Sequence, residues 1–304
     1  MIILRTVAFG PLEYLRILRK EIGDVFRGKG GLDVVLAVGT FVIGCLMASI
    51  GPVSAQTRER VAPADAPSTV KVFLIGNSLT WDALPALLSG DVSWHIDCGK
   101  SLQFIYDHPA KPCVGSSKSW PQALRDKQFD FLCVQPHDGT NLQQDIEVIS
   151  HWIQMQPRSV LVLHTGWARC AQVEIEFTAA GRSINGGTSM VHAPAYFTAL
   201  ASELRKRHPG LQVRSTEAAQ TLHSIAQDVS HHRGPLGALS ELYRDEIHLT
   251  QDGRYLAHNL LRQSLGQPIS SQGFQLEAEL LEYLNQKIAQ SRVPLTPQKS
   301  VDRQ

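Results

Sequence analysis

Residues 70–80 read VKVFLIGNSLT, the segment of the chain that is most informative about its fold. Its first six residues are mostly apolar and β-branched, a pattern typical of a strand that is buried on both faces. Gly76 ends the run and allows the chain to turn sharply, so that Ser78 follows directly on the turn. Residues 81–88 then indicate the start of a helix, with Pro85 tolerated in its first turn.

Strand and helix patterns alternate along the rest of the chain. Apolar runs predict strands at residues 129–134, 159–164 and 211–215, and helical spacing predicts helices at residues 145–154, 193–208, 250–265 and 274–289. This alternation is typical of an α/β domain. The predicted fold is a three-layer α/β/α, flavodoxin-like arrangement, with a mainly parallel sheet covered by helices on both faces. Its active site is expected at the carboxyl ends of the strands.

Composition and charge exclude some classes of protein. The chain has 304 residues, of which 43% are hydrophobic and 19% charged, an ordinary globular composition that rules out disorder throughout. Lys and Arg number 29 against 28 Asp and Glu, which gives a net charge of +1. Because no basic block accompanies this balance, we expect no nucleic-acid partner.

The N-terminal segment, residues 1–55, indicates export or anchoring. Residues 34–50 read VVLAVGTFVIGCLMASI without a charge, close to the about 17–25 residues that span a bilayer. Small residues at Val53 and Ala55 fit the cleavage rule of a secretory signal peptide. A retained membrane anchor is the alternative, and lipidation at Cys45 is disfavoured because the following residues stay apolar. The chain is therefore expected to be periplasmic or extracellular, or held at a membrane through residues 34–50.

The remainder divides into three parts. Residues 56–69 are rich in Ala, Pro, Arg and Ser and are expected to form a linker. The α/β domain is expected over residues 70–290, and residues 291–304 form a polar tail.

Four cysteines lie beyond the N-terminal segment, at positions 98, 113, 133 and 170. Export would place them in an oxidising compartment, where disulfides persist. Four cysteines allow three pairings, which sequence alone does not distinguish. A crosslink between Cys98 and Cys113 across one loop is favoured, with four unpaired thiols as the alternative.

Two short motifs carry residues that could do chemistry. GNSL at residues 76–79 presents Ser78 where the helix amides can stabilise negative charge. In the distant block DEIHLT, residues 245–250, Asp245 can accept a hydrogen bond from one ring nitrogen of His248, which leaves the other as a base. Taken singly, the first motif is equally a helix cap and the second a turn with a surface histidine.

Together the two motifs resemble the SGNH (GDSL-like) hydrolase superfamily, over roughly residues 70–267. Asn77 stands where that family usually has Asp. WPQAL at residues 120–124, with other segments, is similar to a poorly characterised branch of exported bacterial proteins. The resemblance implies the SGNH hydrolase fold, with Ser78 as nucleophile and Asp245 and His248 completing a triad.

The resemblance also implies an oxyanion hole built from the N–H groups of Ser78 and Gly99 and a third, side-chain donor. Asn141 matches the family's G-x-N, at residues 139–141, but lies further from the preceding strand than expected. Gln135, at the end of that strand, has an equivalent amide, and we rank Asn141 slightly ahead of it.

The expected activity is that of a serine hydrolase that cleaves an ester by acyl transfer to water. Small-molecule or glycan esters are the expected substrates, carbohydrate O-acyl esters among them, with Trp81 and Trp167 as candidate contacts. No HExxH or Cys/His metal spacing is present, so we expect no metal and no other cofactor. The alternative is an SGNH-fold protein that is catalytically weak or inactive and acts as a glycan-binding or envelope-associated module.

Overall fold

The computed structural model describes residues 69–137, 141–179 and 192–291. Their five strands form one sheet in the order β2-β1-β3-β4-β5, and every neighbouring pair is parallel. The strands are β1 (Lys71–Gly76), β2 (Asp91–Ile96), β3 (Phe131–Val134), β4 (Val160–Leu163) and β5 (Val213–Ser215). The predicted α/β class is confirmed.

Nine α-helices occur among the described residues. They are α1 (Ser78–Asp82), α2 (Leu102–Asp107), α3 (Trp120–Asp126), α4 (Leu142–Met155), α5 (Val173–Thr178), α6 (Pro194–Arg207), α7 (Ala218–Ser230), α8 (Gln251–Ser264) and α9 (Ala278–Gln290). Short 3-10 helices span Pro85–Leu87, Cys170–Gln172 and Leu239–Leu242.

The central strand β1 divides the core into two layers. Val72 and Leu74 pack with α1, α7, α8 and α9 on one face of the sheet. Phe73 and Ile75 pack with α2, α3, α4 and α6 on the other. All four side chains are fully buried, and each such burial contributes about 1.5–3 kcal/mol to stability. The alternation along one strand therefore explains the helices on both faces.

Near β1, one sequence prediction is wrong and one strand has no counterpart among the predictions. The helix expected at residues 81–88 instead begins at Ser78 and ends at Asp82. Leu84 then takes a left-handed conformation with φ 52°, and the ring of Pro85 also disfavours a right-handed helical conformation in the residue before it, so α1 does not continue. The edge strand β2 was not predicted, since its sequence DVSWHI interrupts the apolar run with Ser93 and His95.

The Cys98–Cys113 crosslink is present, with Cα atoms 5.7 Å apart, and Cys133 and Cys170 are unpaired. The alternative of four unpaired thiols is therefore wrong.

The predicted signal or anchor at residues 1–55 lies outside the described residues. So do the linker and the polar tail, apart from Thr69 and Ser291. Among the helices that the structure does describe, none has the length and apolar character needed to cross a membrane.

Candidate active site

The Ser78 turn forms where β1 passes directly into α1. Asn77 precedes the helix in an extended conformation, and its side-chain oxygen accepts a hydrogen bond from Leu79 N at 3.0 Å. Glycine is needed at position 76 because a Cβ atom there would collide with Thr80 Oγ1. Ser78 is the first residue of the helix, so its N–H has no acceptor within the helix. The turn thus presents both the hydroxyl and the amide of Ser78.

Ser78, His248 and Asp245 lie in one hydrogen-bonded row, although 170 positions separate the serine from the histidine. Ser78 Oγ is 3.1 Å from His248 Nε2. On the other side of the ring, Nδ1 lies 2.9 Å from Asp245 Oδ2. The serine and the carboxylate therefore bond to opposite nitrogens of one imidazole, which is the arrangement in which a neutral histidine accepts the serine proton.

The loop that carries Asp245 and His248 is held by its own backbone. Asp245 Oδ1 accepts hydrogen bonds from His248 N at 2.8 Å and from Ile247 N at 3.0 Å. These backbone bonds, assisted by the His248 ring, hold the pKa of Asp245 well below its usual range, against a smaller opposing effect of burial. Asp245 therefore remains a carboxylate in mild acid, although its side chain is 48% exposed.

A second segment, residues 167–170, braces the same loop. Trp167 Nε1 donates to Ile247 O at 2.7 Å, and Cys170 N donates to Glu246 O at 2.9 Å. Trp167 is 0% exposed, so it does not present a face to a substrate, and the expectation of a substrate contact is corrected. Its indole instead supports the peptide next to His248.

Trp167→Phe is expected to lower both stability and turnover, because the Ile247 carbonyl loses its partner. A buried polar group left unpaired costs about 1–3 kcal/mol. Trp152→Phe is the matched control, since Trp152 is also fully buried but its Nε1 has no hydrogen-bond partner among the described residues. Thermal melts and kcat of both variants check this. Equal losses of kcat would show that Trp167 contributes packing alone.

Gln135, at the end of β3, contacts the Ser78 turn directly. Its Oε1 accepts from Thr80 Oγ1 at 2.7 Å, from Thr80 N at 3.0 Å and from Asn77 N at 3.4 Å. Its Nε2 makes a longer contact of 3.3 Å to Pro136 O. The buried amide therefore fixes the residues on both sides of Ser78, a positioning role that the sequence alone did not show.

Asn141 has a different place. Its side-chain oxygen accepts from Gln144 N at 2.9 Å and so caps α4. The side chain is exposed, and no contact among the described residues joins Asn141 to Ser78. Of the two candidates for the third oxyanion donor, only Gln135 thus touches the nucleophile turn.

Gly99 lies in an exposed turn after β2, with φ 65°, a conformation that favours glycine. The turn begins beside the nucleophile strand, because Asp97 N donates to Gly76 O at 3.0 Å. The disulfide of Cys98 fixes the same turn. The role of the Gly99 N–H as an oxyanion donor stays a prediction.

Trp81 lies one helical turn after Ser78 and is 37% exposed. Its ring packs against that of Trp94, with centroids 5.8 Å apart. An indole held in this way presents an apolar face beside the nucleophile, where a substrate could contact it.

A second buried imidazole lies at the end of β4. His164 bonds to Thr216 Oγ1 at 3.1 Å. Burial, with a smaller contribution from nearby His192, lowers the pKa of His164 to about 4 against the opposing effect of a hydrogen bond to the Leu79 backbone, so the ring stays neutral at neutral pH. Within the described ranges, no group of three His, Cys, Asp or Glu side chains is arranged to hold a metal ion.

No protein-family model and no curated protein sequence matches the chain. Solved structures similar to it include a lipase/acylhydrolase from Enterococcus faecalis, at 12% identity and a TM-score of 0.39, covering 64% of this chain and 95% of that one. A carbohydrate esterase family 3 protein from Talaromyces cellulolyticus has 13% identity and a TM-score of 0.39, covering 64% and 96%. A Parabacteroides merdae protein described as a GDSL-like lipase has 10% identity and a TM-score of 0.39, covering 67% and 99%.

Of these three, the Parabacteroides merdae protein is described as GDSL-like, the name of the superfamily that the GNSL and DEIHLT motifs resemble. Because their TM-scores are below 0.5, these solved structures do not define the reaction of this chain. The reaction has to be inferred from the side chains of the chain itself.

Proposed function

We propose that the chain is a serine hydrolase that cleaves an ester by transferring the acyl group first to Ser78 and then to water. The observation that carries the proposal is the row of hydrogen bonds from Ser78 Oγ through the His248 ring to Asp245. A serine is a weak nucleophile at its ordinary pKa, and an adjacent oriented base is what activates it.

In the first half of the reaction, Ser78 Oγ attacks the ester carbonyl carbon while His248 Nε2 takes the hydroxyl proton. Asp245 holds Nδ1–H of the ring and stabilises the imidazolium that forms. The N–H groups of Ser78 and Gly99, with the Gln135 or Asn141 amide, stabilise the negative oxygen. The carbon–oxygen bond to the alcohol then breaks, and His248 gives its proton to the leaving alcohol.

In the second half, water replaces the alcohol. His248 Nε2 removes a proton from the water as its oxygen attacks the acyl-enzyme carbonyl. The bond to Ser78 Oγ breaks, the serine oxygen regains the proton from His248, and the acid leaves.

The proposed substrates are small-molecule or glycan esters, with carbohydrate O-acyl esters as the first to test. The exposed ring of Trp81 beside Ser78 supports this, because a sugar ring or an acyl chain can pack against it. We also propose that the protein is exported or membrane-anchored. The Cys98–Cys113 disulfide supports export, since such bonds persist in oxidising compartments.

Labelling with a fluorophosphonate probe tests the reaction, because the probe reacts only with an activated serine. Mass spectrometry of the wild type is expected to show one adduct, on Ser78. The adduct should be absent from Ser78→Ala and strongly reduced in His248→Ala, whereas Ser89→Ala, which removes an exposed serine, should label like the wild type.

A folded wild-type protein that takes up no probe would contradict the hydrolase proposal. It would favour the glycan-binding or envelope-associated alternative. An adduct on any other serine would remove Ser78 from the role of nucleophile.

A further inference from the structure

A buried carboxylate lies on the same short helix as Ser78. Asp82 ends α1, four residues after the nucleophile, and is 2% exposed. Its Oδ2 accepts from Leu249 N at 2.7 Å. Its Oδ1 accepts from Arg254 Nε at 2.8 Å and from Arg254 Nη2 at 2.6 Å. Both oxygens are thus engaged, one by a backbone amide and the other by a guanidinium.

These contacts join the two halves of the triad. Leu249 directly follows His248, so the amide that Asp82 holds is the one next to the general base. Arg254 belongs to α8, which begins immediately after the same loop. Arg244, one residue before Asp245, lies 3.8 Å from Asp82 Oδ1. One carboxylate therefore connects the serine helix to the loop of the histidine and to the helix behind it.

The geometry points to Asp82, held by Arg254, as the positioning residue that sets the distance between Ser78 Oγ and His248 Nε2. This inference rests on the proposed function for its catalytic consequence. Asp82 itself touches no reacting atom and acts through Leu249 N. The 3.1 Å contact between Ser78 Oγ and His248 Nε2 spans the same junction between the serine helix and the histidine loop.

The chemistry of the two oxygens explains why aspartate is needed. Leu249 N and Arg254 are both donors, and a carboxylate accepts from both. An asparagine offers one oxygen and one NH₂ group, so its NH₂ must face one of the two donors. Arg254 offers two N–H groups to one oxygen, a fork that the point charge of lysine does not reproduce.

The experiment compares wild type and Asp82→Asn in two readouts. With an activated ester, kcat is expected to fall by up to about 10²-fold, because a small misplacement of reacting groups can slow a reaction by that much. KM is expected to change little. In parallel, ¹⁵N NMR of the histidine ring nitrogens is expected to show a change in the chemical shift of His248 Nε2. Amide hydrogen exchange is expected to show that Leu249 N–H loses its protection. Arg254→Lys is a second variant and should show the same changes to a smaller degree.

Asp228→Asn is the matched control, because Asp228 links Lys287 and Tyr283 of α9 to α7 outside the triad. It is expected to lower Tm while leaving kcat and the His248 resonances as in the wild type. If Asp82→Asn behaves like this control, with His248 unshifted and kcat unchanged, Asp82 is structural and the inference is overturned.

The two readouts also separate this inference from the hydrolase proposal. A wild type without esterase activity or probe labelling would overturn the proposed function alone. The ring-nitrogen shift and Leu249 protection would then still decide whether Asp82 positions His248.

Discussion

Asp245→Asn is expected to lower kcat by about 10⁴-fold while the protein stays folded, as loss of the carboxylate does in a serine triad. The backbone N–H groups of Ile247 and His248 can still bond to the oxygen of the asparagine side chain. The loop therefore keeps its shape. The new NH₂ group faces His248 Nδ1, which must then accept rather than donate. The ring carries its proton on Nε2, facing Ser78 Oγ, and is unable to remove the serine proton.

Steady-state kinetics with an activated ester and the rate of probe labelling check this expectation. Asp130→Asn is the matched control, since Asp130 also accepts a backbone N–H, from Lys71 at 2.7 Å, at the start of β1. That variant should retain wild-type kcat. A decrease of less than tenfold for Asp245→Asn would show that this carboxylate does not orient the base. The triad assignment would then fail even if Ser78 proved reactive.

The fold could be predicted wherever apolar runs were continuous. β1, β3 and β4 are buried strands of a parallel sheet, and their runs of apolar residues indicate this directly. β2 lies at the sheet edge and mixes Ser93 and His95 with apolar residues, so it lacks that signal. Short helices such as α2 and α3 have too few turns for a periodicity to show.

Site residues could be predicted only where they belong to a short sequence motif. Ser78, Asp245 and His248 lie within two short blocks, and the structure brings them together. The supporting side chains have no such signal. In the sequence, Asp82 resembles an exposed acid on a short helix. Only the structure shows that it accepts hydrogen bonds from Leu249 N and Arg254.

The role of Trp167 could not be predicted from the sequence for a related reason. An indole carries both an apolar face and an N–H donor, and its sequence position does not show which of them is used. Only the packing of residues 167–170 against the Asp245 loop shows that the donor is used.

Gln135→Ala is expected to lower kcat by about 10²–10³-fold, the usual cost of losing an oxyanion donor. The amide of Gln135 lies at the carboxyl end of β3, next to the Ser78 turn that follows β1, and its oxygen already fixes Asn77 and Thr80. With the oxygen held in this way, the NH₂ group has a defined direction, which is the condition for stabilising charge as it develops. We therefore expect Gln135, rather than Asn141, to supply the third donor.

Two further variants separate donation from positioning. Gln135→Glu keeps an acceptor for Thr80 but has no NH₂ group, so a loss as large as that of Gln135→Ala identifies the amide as the donor. Asn141→Ala removes the cap of α4, which should cost about 1 kcal/mol of stability and leave kcat nearly unchanged. If Asn141→Ala instead lowers kcat by about 10²–10³-fold while both Gln135 variants remain active, the third oxyanion donor is Asn141. The helix cap would then be rearranged when substrate binds.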